Sequence, residues 1–185
     1  QARITTVVHQ VKDLRGDKVI GVDVSCLEEV CYGLLKERGL TVGTAESCTG
    51  GMIAARITDV PGASEVFKQG LVTYSNRAKR KLLDVKKTTL KEYGAVSEKT
   101  AKEMAKNGAF ITGSDACVSV TGTAGPTGGT EEKPVGLVYI GCCYNNKTVV
   151  KEFHFKGERQ KIREQATANA LILLRECILA DKGQE

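Results

Sequence analysis

The residues best suited to chemistry sit in Thr41-Val-Gly-Thr-Ala-Glu-Ser-Cys-Thr-Gly-Gly51, where a β-type segment ends in a small-residue turn and gives way to an amphipathic helix. The first backbone N–H groups of a helix lack intrahelical partners, which suits them to a phosphate or a developing oxyanion. Two uses of the hydroxyls compete here. Ser47 is either a nucleophile beside those donors or a plain N-cap, with Gly50 and Gly51 closing the turn. Cys48 is the rival nucleophile, because a thiol at a helix start has a depressed pKa. Spacing alone does not separate the two.

A nucleophile of either kind needs a base and oxyanion donors. Neither histidine is well placed. His9 falls in an N-terminal extension and His154 alternates within a strand-like run, which disfavours a Ser-His-Asp arrangement. A lysine is the remaining base, since desolvation and positive neighbours lower an amine pKa. Lys79 lies at a strand-to-helix transition, with Tyr74 before it and Arg77, Arg80 and Lys81 around it. By local sequence alone it also reads as an ordinary exposed lysine. Thr121-Gly-Thr-Ala-Gly-Pro-Thr-Gly-Gly-Thr130 is a Gly-rich loop, but it has neither the Gly-Lys-Ser/Thr of a Walker A sequence nor the spaced glycines of a dinucleotide fingerprint. No metal is expected: Glu46, Asp59, Glu65, Asp115, Glu131 and Glu132 are not joined by suitably spaced histidines.

The elements that must position these residues follow from periodicity. Leu27, Val30, Leu34 and Leu35 recur at helical spacing before Gly39, giving a helix from about Ser25 to Arg38 and then a strand from Thr41 to Ala45. Gly51 to Thr58 reads as a helix stopped by Val60-Pro-Gly-Ala63. A strand from Val66 to Ser75 precedes helices at Asn76 to Leu83 and Thr88 to Tyr93, and a third that a Ser97 cap opens and that ends at Thr112. Ala116 to Val120 is a short apolar strand. Val135 to Tyr144 and Lys147 to Phe155 flank Asn145-Asn146 as an antiparallel hairpin, and Glu158 to Leu179 is a long helix. The expected fold is α/β, a three-layer α/β/α sandwich on a mixed sheet. Residues 1 to 25 read as an extension or the remnant of an interdomain linker, and 26 to 185 as one domain.

With 185 residues and 41% hydrophobic composition the chain supports one substantial core. Its net charge is +5, yet the basic residues are scattered among acidic ones, and four Phe, five Tyr and no Trp offer little stacking surface. That balance fits a phosphorylated small molecule better than nucleic acid. Seven cysteines without Cys-x-x-Cys spacing disfavour a disulfide framework or zinc knuckle and point to a reducing cytoplasm. No apolar run approaches the ~20 residues of a membrane span.

Ala45-Glu-Ser-Cys-Thr-Gly-Gly51, Val72-Thr-Tyr-Ser-Asn76 with Ala78-Lys79, Gly94-Ala-Val-Ser-Glu98, Gly122 with Ala124-Gly-Pro126, and Gly128-Gly-Thr-Glu-Glu-Lys-Pro-Val-Gly136 together resemble the C-terminal domain of the CinA (competence-damage-inducible) proteins. That family includes the nicotinamide mononucleotide amidohydrolases. The resemblance runs from Leu27 to Leu179 and implies hydrolysis of the carboxamide of nicotinamide mononucleotide to nicotinic acid mononucleotide and ammonia, in pyridine nucleotide salvage, with no cofactor. The family's serine matches Ser47, and its lysine and tyrosine match Lys79 and Tyr74. On this basis Lys79 takes the Ser47 proton directly or through Tyr74, while N–H groups from Cys48, Thr49, Gly50 and Gly51 bind the oxyanion. Glu46, Thr121, Gly122, Thr123 and Gly125 are expected at the substrate, with Arg159 or Arg163 on its phosphate. The resemblance also implies a dimer and, in full-length members, fusion to an N-terminal nucleotide-processing domain. The competing reading is a catalytically silent nucleotide-binding or regulatory module; the joint presence of Ser47, Tyr74 and Lys79 argues against it.

Overall fold

The computed structural model describes residues 26–180, so the extension at 1 to 25 and His9 lie outside the described residues. Five strands, Val42–Glu46 (β1), Phe67–Val72 (β2), Ala116–Gly122 (β3), Leu137–Tyr144 (β4) and Lys147–His154 (β5), form one sheet in the order β2-β1-β3-β4-β5. β1 runs parallel to β2 and β3, and β4 runs antiparallel to β3 and β5. Connection length explains the mixture. Helices join the parallel strands, whereas Asn145 and Asn146, at φ 48° and 59°, make the tight turn of the β4–β5 hairpin.

The helices are Leu27–Glu37 (α1), Met52–Thr58 (α2), Asn76–Leu83 (α3), Lys87–Glu92 (α4), Glu98–Thr112 (α5) and Arg159–Ala180 (α6). Strand alternation sorts them into two outer layers. Val42, Val118, Val120 and Ile140 pack with α1, α2 and α6, while Ala45 and Cys117 pack with Leu83, Leu90 and Met104 of α3, α4 and α5. The result is the three-layer sandwich that the periodicity predicts. Ser97 caps α5 as expected, accepting from the Thr100 N–H at 3.2 Å. β2, by contrast, ends at Val72 and not at Ser75, because Ser75 serves as the N-cap of α3 and accepts from the Ala78 N–H at 3.0 Å. All seven cysteines are free thiols. Among the described residues no helix is long and apolar enough to cross a membrane.

α5 lies close enough to the sheet that glycine is required where the two meet. A Cβ on Gly108 would stand 2.5 Å from Cys117 Sγ, and one on Gly141 would stand 2.6 Å from Ser119 Oγ and 3.0 Å from the Ala101 carbonyl oxygen. Ser119 Oγ already donates to that carbonyl at 2.7 Å, so a methyl at 141 displaces a buried hydrogen bond as well as crowding the backbone. Gly141→Ala is expected to destabilise the fold by about 1–3 kcal/mol, read as a lower urea midpoint at unchanged slope.

Candidate active site

The exit from β1 is held on both sides. The Ser47 N–H donates to the Val120 carbonyl at 3.0 Å, and the Thr73 N–H donates to the Glu46 carbonyl at 2.7 Å, so the turn sits where the carboxyl ends of three parallel strands meet. Alternation then sends successive side chains to opposite faces: Glu46 toward α2, Ser47 toward α3. On that second face Lys79 is 1% exposed, and its Nζ lies 2.8 Å from Ser47 Oγ and 2.8 Å from the Thr73 carbonyl oxygen. Burial pushes the Lys79 amine down to about 8. The surrounding cations play no part in the shift, since Arg77, Arg80 and Lys81 are exposed. Nζ donates to both oxygens; in its neutral form the amine would keep one N–H on Thr73 and accept the Ser47 hydroxyl on its lone pair.

The helix start is capped differently from the sequence expectation. Gly51, at φ 98°, occupies the N-cap position of α2, and no Ser or Thr hydroxyl caps it. The Glu46 carboxylate does so instead. Oε2 accepts from the N–H groups of Gly51 (3.0 Å) and Ile53 (3.1 Å), and Oε1 from that of Ala54 (2.9 Å). Fully buried and so engaged, Glu46 belongs to the turn and does not reach the substrate side. The oxyanion donors narrow accordingly. The Gly50 N–H donates to the Ser47 carbonyl at 3.0 Å and the Gly51 N–H is taken by Glu46, leaving the N–H groups of Cys48 and Thr49. Cys48 itself is 5% exposed, and burial pushes its thiol up to about 11, against the depressed value its place in the sequence predicts.

Ser47, Lys79, Tyr74, Thr121, Gly122, Thr123, Gly125 and Arg159 line one cleft of ≈ 270 Å³. Tyr74 is not on the Ser47–Lys79 pair. Its hydroxyl accepts from Arg159 Nη2 at 2.9 Å, and Arg159 Nη1 donates to the Gly125 carbonyl at 2.8 Å, which fastens the Gly-rich loop to the β2–α3 connection. The Thr121 hydroxyl donates to the Ala95 carbonyl at 2.7 Å, and Gly122 leaves no room for a Cβ beside Val138. Both therefore shape the wall. Thr123 pairs its backbone with Leu137 and Gly136. Arg163 stands away from the cleft lining, with Nε on the Cys48 carbonyl (3.0 Å), Nη2 on the Thr49 carbonyl (2.9 Å) and Nη1 on Gln160 (3.1 Å). Ala95 and Val96 also line the cleft; they lie in the Gly94-Ala-Val-Ser-Glu98 motif that carries the resemblance, but as apolar loop residues they have no chemistry that marks them as site residues. Among the described residues no three His, Cys, Asp or Glu side chains converge on a metal position.

The family model of the CinA C-terminal domain matches residues 24–178. The chain belongs to the CinA C-terminal domain family. It is 49% identical over 179 residues to a CinA-like protein of Kosmotoga olearia, a match covering 97% of this chain and 43% of that protein. It is 52% identical over 172 residues to a competence-damage inducible protein of Clostridium perfringens, covering 93% of this chain and 42% of the relative. The chain thus spans less than half the length of the curated relatives it matches. Solved structures agree on the CinA fold. A competence/damage inducible protein from Agrobacterium tumefaciens aligns with a TM-score of 0.78 at 39% identity, over 84% of this chain and 98% of that one. A CinA superfamily protein from Klebsiella pneumoniae aligns with a TM-score of 0.80 at 31% identity, over 84% and 99%. These names speak of competence and damage and specify no reaction.

The buried amine makes stability depend on pH. A folded pKa near 8 against an ordinary 10.5 means that the fold disfavours the Lys79 proton, so the group costs most below pH 8 and the cost fades as pH rises from about 8 to about 10.5. Between pH 7 and about 11 the unfolding free energy of the parent should gain about 3 kcal/mol relative to Lys79→Met. Urea titrations of both proteins across that range check the sign and size.

Proposed function

We propose that this CinA domain hydrolyses the carboxamide of nicotinamide mononucleotide, or of a related pyridine nucleotide, through Ser47 and Lys79. The observation that carries the reading is the buried Lys79 amine at 2.8 Å from Ser47 Oγ, with a pKa brought down to about 8. Neutral Lys79 takes the hydroxyl proton directly, without a relay through Tyr74, and Ser47 Oγ attacks the carboxamide carbon. The electron pair moves to the oxygen, which the N–H groups of Cys48 and Thr49 receive. Collapse returns the proton from Lys79 to the leaving nitrogen as ammonia. Water then adds to the acyl ester, again giving its proton to Lys79, and the released Ser47 recovers it.

Substrate class rests on the cleft walls and on membership of a family that includes such amidohydrolases. Arg159 stands at the cleft with donors beyond its two protein bonds, suited to a phosphate. Tyr74, 60% exposed, supplies an aromatic ring for the pyridinium. A silent binding module has no use for a desolvated lysine held against a serine, an arrangement that costs stability in the protonated form.

Ammonia release from nicotinamide mononucleotide is the direct assay. Ser47→Ala and Lys79→Met, checked as folded, should each lose at least about 10³-fold in kcat. For the parent, kcat/KM should rise about tenfold per pH unit below about 8 and level off above it, because about one Lys79 in ten is neutral at pH 7. No ammonia from any pyridine nucleotide, or an active Ser47→Ala, overturns the reading.

A further inference from the structure

Most backbone polar groups of the nucleophile turn have protein partners. The Ser47 carbonyl accepts from the Gly50 N–H, the Cys48 carbonyl from Arg163 Nε, and the Thr49 carbonyl from Arg163 Nη2 and the Met52 N–H. On the donor side the N–H groups of Gly51, Ile53 and Ala54 end on Glu46. A trans peptide is planar, with its C=O and N–H pointing in opposite directions. The Cys48 carbonyl and the Thr49 N–H belong to one such plane. Holding that carbonyl from α6 therefore fixes which way the Thr49 donor faces.

We infer that Arg163 and Glu46 are positioning residues that clamp the nucleophile turn: Arg163 fixes the Cys48–Thr49 peptide in the orientation an oxyanion requires, and Glu46 anchors the helix start that follows it. The inference rests on the Ser47–Lys79 reading and extends it to two residues that touch no substrate. Arg163 grips the carbonyl side from α6. Glu46, at the end of β1, holds the Gly51, Ile53 and Ala54 N–H groups further along the turn and so withdraws three helix-start donors that would otherwise compete for the anion. Gly50 permits the grip, because a Cβ there would stand 3.3 Å from Arg163 Nη2. Arg163 has the residue type of a phosphate ligand, but its guanidinium spends Nε, Nη1 and Nη2 on the protein.

The two roles of Arg163 give different kinetics. If it orients the peptide, Arg163→Met lowers kcat by about tenfold to a hundredfold, the scale of a misplaced catalytic group. KM and the calorimetric Kd for nicotinic acid mononucleotide then stay within about threefold, and the kcat/KM inflection near pH 8 is kept, since Lys79 is untouched. Glu46→Gln, the same shape with one acceptor oxygen replaced by a donor, should give the same pattern and is the deciding variant if Arg163→Met fails to fold. Two results overturn the clamp: kcat within about twofold of the parent in the folded variants, or an Arg163→Met that keeps kcat but loses about tenfold in KM and in nucleotide Kd while nicotinic acid riboside binds as before. An inactive Ser47→Ala beside fully active clamp variants removes the clamp alone. An active Ser47→Ala removes the Ser47–Lys79 reading beneath it.

Discussion

An amine without solvent needs partners, and Lys79 finds them in two oxygens from different strands, Ser47 Oγ after β1 and the Thr73 carbonyl after β2. Much of the local architecture serves that contact. Thr73 is held in place because its N–H extends the β1–β2 ladder onto Glu46, and Ser75 then starts α3 so that Lys79 falls in its first turns, over the sheet. Leu83, at the end of the same helix, is fully buried and anchors it. The lowered pKa is thus a packing result: apolar neighbours remove water, and the amine answers by favouring its neutral form.

The same strand exit solves a conflict between capping and catalysis. A serine that caps a helix has an oxygen lone pair engaged by a backbone N–H, which aims its side chain at the helix start and away from a base on the other face. Here the carboxylate of the preceding residue does the capping from the opposite face, so Ser47 faces Lys79 with its hydroxyl unshared by α2. A carboxylate suits that position, since both its oxygens accept and the helix start favours negative charge. One residue of alternation separates the structural task from the chemical one.

α6 links the core to the cleft. Ile162, Ala166, Ala170, Leu171, Leu174 and Ile178 bury its inner face against the sheet, which sets the height at which its first turns reach the site. Arg159 and Arg163, one helical turn apart, leave that end for different targets: the Gly-rich loop with Tyr74, and the nucleophile turn. A shift of α6 would disturb both. α5 performs the matching service on the other face, where glycines let it sit low enough for Ala101 and Ser119 to bond.

Local sequence carried the elements because local torsions and burial periods fix them. The Asn145-Asn146 turn, the Ser97 cap, the α3 span Asn76–Leu83 and the layered alternation of helices and strands are all written within a few residues of themselves. The strand pattern runs on through Thr73-Tyr-Ser75 beyond the end of β2, because it does not reveal that Ser75 caps the next helix. The site was legible only as separate pieces. Ser47 and Lys79 lie 32 positions apart, Arg163 and Cys48 115, and a glutamate capping residues five, seven and eight positions ahead matches no short capping motif. Residue type could nominate Ser47, Cys48 and Lys79, but not rank them. That ranking is a matter of solvent: the fold buries a thiol to about 11 and an amine to about 8, and desolvation is supplied by elements distant in the chain, which no local spacing can express.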